Sequence, residues 1–160
     1  MERLLAYWRT MGVLAAPACS REALDLFEDQ HRLLMPTDFR EYLSLANGMA
    51  LQGQELGRDE NGFSFWPLER LDPVSESGLV TALAQAIGVV RQRATPEQHQ
   101  YFVFADYLHW SWAYAIGISG QRSSECDVIR VGGRGNPLVA RTFGAFVDLY
   151  LSDASALYVA

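Results

Sequence analysis

The side chains best suited to proton transfer are few. Histidine, the one residue whose ordinary titration falls near neutral pH, occurs at positions 31, 99 and 109. His109 stands three residues after Asp106 and two before Ser111. A carboxylate that orients an imidazole, which in turn deprotonates a hydroxyl, is the arrangement of nucleophilic catalysis. No G-x-S-x-G elbow is present to expose the serine, and three such residues fall within six positions easily. A connection between two strands is the favoured reading, a binding surface with neighbouring Trp110 the next, and a small hydrolytic enzyme using Asp106, His109 and Ser111 the last. His31 lies on the apolar stripe of a helix, where a buried, hydrogen-bonded structural histidine is expected. His99 falls in a polar turn, where it would be solvated.

Carboxylates are the second group. Glu55, Asp59, Glu60, Glu69, Asp72 and Glu76 crowd one stretch against only Arg58 and Arg70, a local excess of four negative charges. The stretch is either a solvated loop or a docking surface for a basic partner, with Phe65 and Trp66 as aromatic anchors. Charges act over about 8 Å in physiological salt, so docking requires the loop to gather them. Paired-carboxylate hydrolysis would need a fixed separation that a loop holds poorly. The partner-binding candidates are therefore Glu55, Asp59, Glu60, Phe65, Trp66, Glu69, Asp72, Glu76, His109 and Trp110.

Cys19 and Cys126 have neither metal-ligand spacing nor a disulfide pattern, and read as reduced and buried. The run Gly132-Gly133-Arg134-Gly135 lacks the order of a phosphate loop and reads as a turn. No cofactor or metal is expected.

These residues sit in a chain of 160 residues, read as one domain over 1–160. A chain this long buries roughly 68–70% of its unfolded surface without a staple, and 49% of the residues are hydrophobic. The net charge is −6 and all 13 basic residues are arginine, a balance that opposes direct nucleic-acid or anionic-membrane binding. The longest apolar stretch, Gly78 to Val90, is too short to cross a bilayer. Charges at Glu2 and Arg9 interrupt the first apolar run, which is read as fold rather than signal peptide. A cytoplasmic protein is expected, as a monomer or weak homodimer.

The positioning elements follow from periodicity. Leu4, Tyr7, Trp8 and Met11 share one face of a helix over Glu2–Leu14. Ser20 caps a second helix with Leu24, Phe27 and His31 on one side. Asp38 with Glu41 forms a capping-box-like start to a third, whose stripe is Phe39, Tyr42, Leu43 and Ala46, and Asn47–Gly48 stops it. Phe63–Leu68 is a short strand ending at proline, and Leu79–Arg93 a helix followed by the turn Thr95-Pro96-Glu97. Strands follow at Tyr101–Asp106, at Ser111–Ser119 with period two, and at Cys126–Val131. A final helix starts near Thr142, with Phe143, Phe146, Val147, Tyr150 and Leu151 on its apolar face. Helices, a strand run and a closing helix predict α+β, a mostly antiparallel sheet of about four to six strands flanked by helices.

The order of motifs resembles the SUKH superfamily. Met35-Pro36-Thr37-Asp38-Phe39-Arg40-Glu41-Tyr42-Leu43-Ser44-Leu45-Ala46-Asn47-Gly48 is similar to its opening signature. The strands Phe102–Asp106, Trp112–Ile116 and Val128–Val131 fall in its order, and Thr142–Leu151 is similar to its Ser/Thr-Phe-x-x-Phe-Leu ending. The likeness spans about residues 20–153, with the helix 2–14 as an addition. Tyr107–Ser111 stands where many relatives have a Gly-rich turn. The resemblance implies a fold without catalytic residues and, for bacterial members, immunity proteins that neutralise toxins. The expected partner is a protein, a basic toxin domain such as a nuclease, and the rival is a regulatory or self-associating scaffold.

Overall fold

A computed structural model of the chain describes residues 1–53, 55–71, 99–109, 111–132 and 137–158. The expected helix 79–93, the turn 95–97 and residues 133–136 lie outside the described residues, as do Asp72, Glu76 and Trp110.

The architecture is α+β. Helices α1 (Glu2–Thr10), α2 (Arg21–His31) and α3 (Thr37–Leu45) precede a small hairpin of β1 (Leu51–Gln52) and β2 (Glu55–Leu56). A five-stranded antiparallel sheet is ordered in space as in sequence: β3 (Phe63–Phe65), β4 (His99–Tyr107), β5 (Trp112–Ser119), β6 (Val128–Val131) and β7 (Leu138–Ala140). A 3₁₀ turn (Leu68–Arg70) follows β3, and α4 (Phe143–Ser152) and α5 (Ser155–Tyr158) end the chain. Among the described residues, no helix is long and apolar enough to cross a membrane.

Two helix starts form as the sequence indicates. Ser20 Oγ accepts from Ala23 N at 3.1 Å, and Thr142 Oγ1 from Ala145 N at 2.9 Å, each satisfying an N–H that a helix start leaves unpaired. The expected capping box of α3 does not form. Pro36 is the cap residue, and Asp38 turns outward from its own helix. Its Oδ2 accepts from Gly144 N at 2.7 Å, in the first turn of α4, while Oδ1 takes Phe39 N at 2.9 Å. One carboxylate thereby ties the starts of two helices. Helix α1 stops at Thr10 rather than Leu14, because Gly12 (φ 68°) turns the chain and Val13 N returns to Trp8 O at 2.8 Å. His99 is the first residue of β4, not part of a turn.

The main core is aromatic. Phe39, Tyr42, Phe65, Phe104, Phe143 and Phe146 are almost fully buried, with ring centroids 5.0–6.3 Å apart, mostly tilted or edge-to-face, the geometry that ring quadrupoles favour. Helix α1 belongs to this core: Leu4 and Trp8 are 0% exposed, and Trp8 meets the Phe65 ring at 5.1 Å. In β5 the alternation separates two layers. Tyr114, Ile116 and Ile118 enter the aromatic core, while Ala113 and Ala115 face Val103, Ile129, Val131 and Trp66 on the other side.

A polar knot, not foreseen from the sequence, fastens α2 to the rest. Glu28 is 6% exposed. Its carboxylate accepts from Arg122 Nη1 and Nη2 at 3.1 and 2.9 Å and from Met35 N at 2.8 Å. Arg40 Nη1 lies 3.0 Å away as an ion contact without hydrogen-bond alignment.

Candidate functional site

A β-bulge lies beside a polar cleft near the sequence-derived candidates. In β4, Val103 pairs with Ala115 but Ala105 pairs with Tyr114, so Phe104 is the extra residue. Regular alternation would send Phe102, Phe104 and Asp106 to one face, placing a carboxylate among the aromatic rings. The additional residue reverses the parity. Ala105 and Tyr107 thus turn toward the core, and Asp106 emerges on the opposite face beside Ser64, its partner across the β3–β4 ladder. Asp106 is 5% exposed, and its Oδ2 accepts from Trp66 Nε1 at 2.8 Å.

Asp106, Ser64 and Trp66 form part of the wall of an open cleft of about 270 Å³. Glu55 and Leu56 from β2, Arg58, Arg70 and His109 also line it. Arg58 Nη1 lies 2.5 Å from His109 Nε2, and Nη2 lies 3.1 Å from Nδ1; a neutral imidazole accepts through only one of them. His109 (φ 49°) and Leu108 (φ 46°) both occupy the left-handed region in the β4–β5 turn. Such positions cost on the order of 1–3 kcal/mol each and gather at binding and catalytic sites. Leu108 N donates to Gly62 O at 2.9 Å, and the missing side chain of Gly62 leaves room for Leu108.

Two features of the cleft lack partners. Ser64 is 1% exposed, and its hydroxyl has no hydrogen-bond partner among the described residues; the same holds for Arg58 Nε. Among the described residues, neither Arg58 nor Arg70 has a carboxylate within 4.0 Å, whereas Arg3, Arg21, Arg40, Arg122 and Arg141 each do.

The structure divides the acidic candidates. Asp59 is not on an exposed docking surface: it is 5% exposed, accepts from Phe63 N at 2.8 Å, and takes a short hydrogen bond from the Tyr150 hydroxyl. Burial, followed by the charge of Asp59, pushes the Tyr150 phenol far above its ordinary range. Phe65 is 0% exposed and belongs to the core, not to an interface. Trp66 is buried with its indole engaged by Asp106. Glu55, Glu60 and Glu69 are exposed, and Glu69 accepts from Asn47 Nδ2 at 3.0 Å. Of the seven candidates among the described residues, Glu55, Trp66 and His109 line the cleft. Arg58, Arg70, Ser64 and Asp106 join them, and the bulge with the β3–β4 register sets Asp106 beside Ser64.

The hydrolytic trio has its groups engaged separately. Asp106 is held by Trp66, His109 lies on Arg58, and Ser111 Oγ donates to Leu108 O at 3.1 Å. Elsewhere, His31 is half-buried rather than fully buried, its ring 4.5 Å from Phe27 and 5.0 Å from Phe102. Both cysteines are free. Burial, with Glu69 adding to it, raises the Cys19 thiol to about 11, and burial, with Asp38 adding to it, raises Cys126 to about 12. Neither is poised as a nucleophile. No group of three or more metal-ligating side chains is placed to hold an ion among the described residues. In comparisons with known proteins, no family model matches the chain and no curated protein matches it.

Proposed function

We propose that this protein is a non-catalytic, cytoplasmic protein-binding module that docks a partner over the cleft between β2, β3 and the β4–β5 turn. The observation that carries this reading is the separate engagement of Asp106, His109 and Ser111, beside two arginines without carboxylate partners among the described residues. Groups held this way serve recognition better than proton relay, which needs nucleophile, base and orienting carboxylate in one line of hydrogen bonds. Following the SUKH resemblance, the partner is a toxin domain, and the protein neutralises it by covering its surface. A net charge of −6 steers a basic partner toward the molecule, while the cleft reads one local feature of it.

The test is titration of the purified protein with the toxin domain encoded beside its gene. A one-to-one complex whose affinity falls as ionic strength rises is expected, with protection from toxicity. His109→Ala should weaken the complex without removing any turnover. Absence of a complex, or hydrolytic activity that His109→Ala abolishes, defeats the reading. A stable homo-oligomer in sedimentation with no heterologous complex would favour the scaffold alternative.

A further inference from the structure

We infer that the cleft is a carboxylate-binding site, filled by an acidic side chain of the protein partner. The inference rests on the binding reading and names what the partner must present. Arg3, Arg21, Arg40, Arg122 and Arg141 sit in ion pairs, whereas Arg58 and Arg70, like Arg9, Arg32 and Arg130 elsewhere, have none among the described residues, and Arg58 and Arg70 both line the cleft. A guanidinium matches a carboxylate through paired donors, and Arg58, whose Nη atoms lie on His109, has a buried Nε donor with no acceptor among the described residues. Ser64 supplies the independent indication. Ser64, 1% exposed, lines this cleft, and its hydroxyl has no partner among the described residues, whereas buried polar groups are ordinarily satisfied.

The charge balance selects the ligand class. Arg58 and Arg70 are opposed by Glu55 and Asp106 around the same cavity, so a dianionic phosphate would meet two carboxylates as well as two guanidiniums. A single carboxylate bound between the arginines, at the Ser64 side, incurs half of that repulsion. Leu56 and Trp66 provide an apolar wall for the methylene stem of the incoming side chain. The volume of about 270 Å³ accommodates one side chain and is at the lower limit of small-molecule pockets.

The experiment uses the full chain and N-acetyl-L-glutamate N-methylamide as probe, with the glutamine counterpart and inorganic phosphate as comparisons. Binding is followed through the ¹H–¹⁵N signals of the arginine Nε–H groups and of the Trp66 indole. Saturable shifts at Arg58 and Arg70 are expected, with a dissociation constant on the order of millimolar, as suits one isolated contact. The glutamine analogue should bind about tenfold more weakly, since bonds to a charged acceptor are the stronger ones. Ser64→Ala and Arg70→Gln should each weaken the glutamate probe about fivefold or more. Equal binding of acid and amide, tighter binding of phosphate, or unchanged affinity in Ser64→Ala would overturn the inference. If the partner complex survives while the probe fails, only this inference falls. If the probe binds and no partner complex forms, only the broader reading falls.

Discussion

Replacing Ser64 by alanine should stabilise the protein while weakening its cleft. The serine lies at the centre of β3, 1% exposed, with its hydroxyl unpartnered among the described residues. An unsatisfied buried polar group carries a desolvation penalty of about 1–3 kcal/mol. Alanine removes that penalty and leaves the backbone pairing with Asp106 intact. Against it stands the loss of one heavy atom's contacts, at about 0.1–0.2 kcal/mol per atom pair, so a few pairs subtract roughly 0.5 kcal/mol. The net gain is about 0.5–2.5 kcal/mol. For a chain of this size, each kcal/mol moves the midpoint by about 2–4 °C, giving a rise of roughly 1–10 °C in a calorimetric or circular-dichroism melt. Urea unfolding should show a higher midpoint at an unchanged slope. Ser111→Ala is the control, because that hydroxyl is exposed and donates to Leu108 O at 3.1 Å; its loss should lower stability by about 0.5–1 kcal/mol. A fall in Ser64→Ala as large as in the control would refute the reasoning, since the hydroxyl would then be bonded within the fold.

Three other outcomes follow from the same geometry. Glu28→Ala strands Arg122, Arg40 and Met35 N. Breaking a fully buried pair costs about 3–5 kcal/mol, and with Arg122 side chain 39% exposed the loss should be about 2–4 kcal/mol, a midpoint drop of roughly 5–15 °C in the same melts. Cys19, raised to about 11, should react with iodoacetamide at pH 8 roughly 20-fold more slowly than an unperturbed thiol. Its thiolate fraction is about 200-fold lower, offset about tenfold by greater nucleophilicity; a rate equal to that of free cysteine contradicts the burial. Tyr42 and Tyr150, each 1% exposed, have phenols raised mainly by burial. A raised acid keeps its full contribution below the unfolded value near 10 and loses it as pH climbs above. Stability should therefore fall by about 3 kcal/mol per pH unit beyond pH 10, with phenolate absorbance appearing together with unfolding; ionisation of all tyrosines in the folded state near pH 10 would disprove it.

Much of the frame was legible because local rules and tertiary packing agree. Ser20 and Thr142 cap their helices, and the alternation of Trp112 to Ile118 specifies a strand sandwiched between two apolar layers. Legibility failed where a polar side chain serves a distant element. Asp38 and Glu41 have the spacing of a local cap, yet Asp38 reaches Gly144, more than a hundred residues away. Asp59 belongs by position to an acidic loop, yet it is drawn inside by the Tyr150 hydroxyl and the Phe63 amide, and Trp8 Nε1 donates to the same hydroxyl at 3.2 Å. Charge counted along the chain cannot distinguish a solvated carboxylate from one that closes a buried network. The bulge was hidden for a simpler reason. Tyr101–Asp106 reads as one unbroken strand, and only pairing with β5 shows one residue too many.

The same distant ties explain why the cleft is held rather than merely present. Asn47 and Gly48 read as a helix stop, but α3 already ends at Leu45 and the two residues serve β3 instead. Gly48, at φ 74°, passes so close that a Cβ would lie 2.7 Å from Phe65 O and the Trp66 carbonyl carbon. Only glycine takes that conformation and that proximity together. Met49 N then donates to Phe65 O at 3.0 Å, and Asn47 Oδ1 accepts from Leu68 N at 2.6 Å. The segment Trp66 to Arg70 is thereby fastened to the end of α3 on one side, while Trp66 N donates to Phe104 O, on the bulge, at 2.7 Å. Arg70 and Trp66 reach the cleft from a backbone with little freedom, and His109 reaches it from a turn held in an uncommon conformation by Gly62. Donors fixed in this way lose little entropy when an acceptor arrives. That is the physical reason to assign recognition to this cleft rather than to the longer, more acidic loop from which it is partly built.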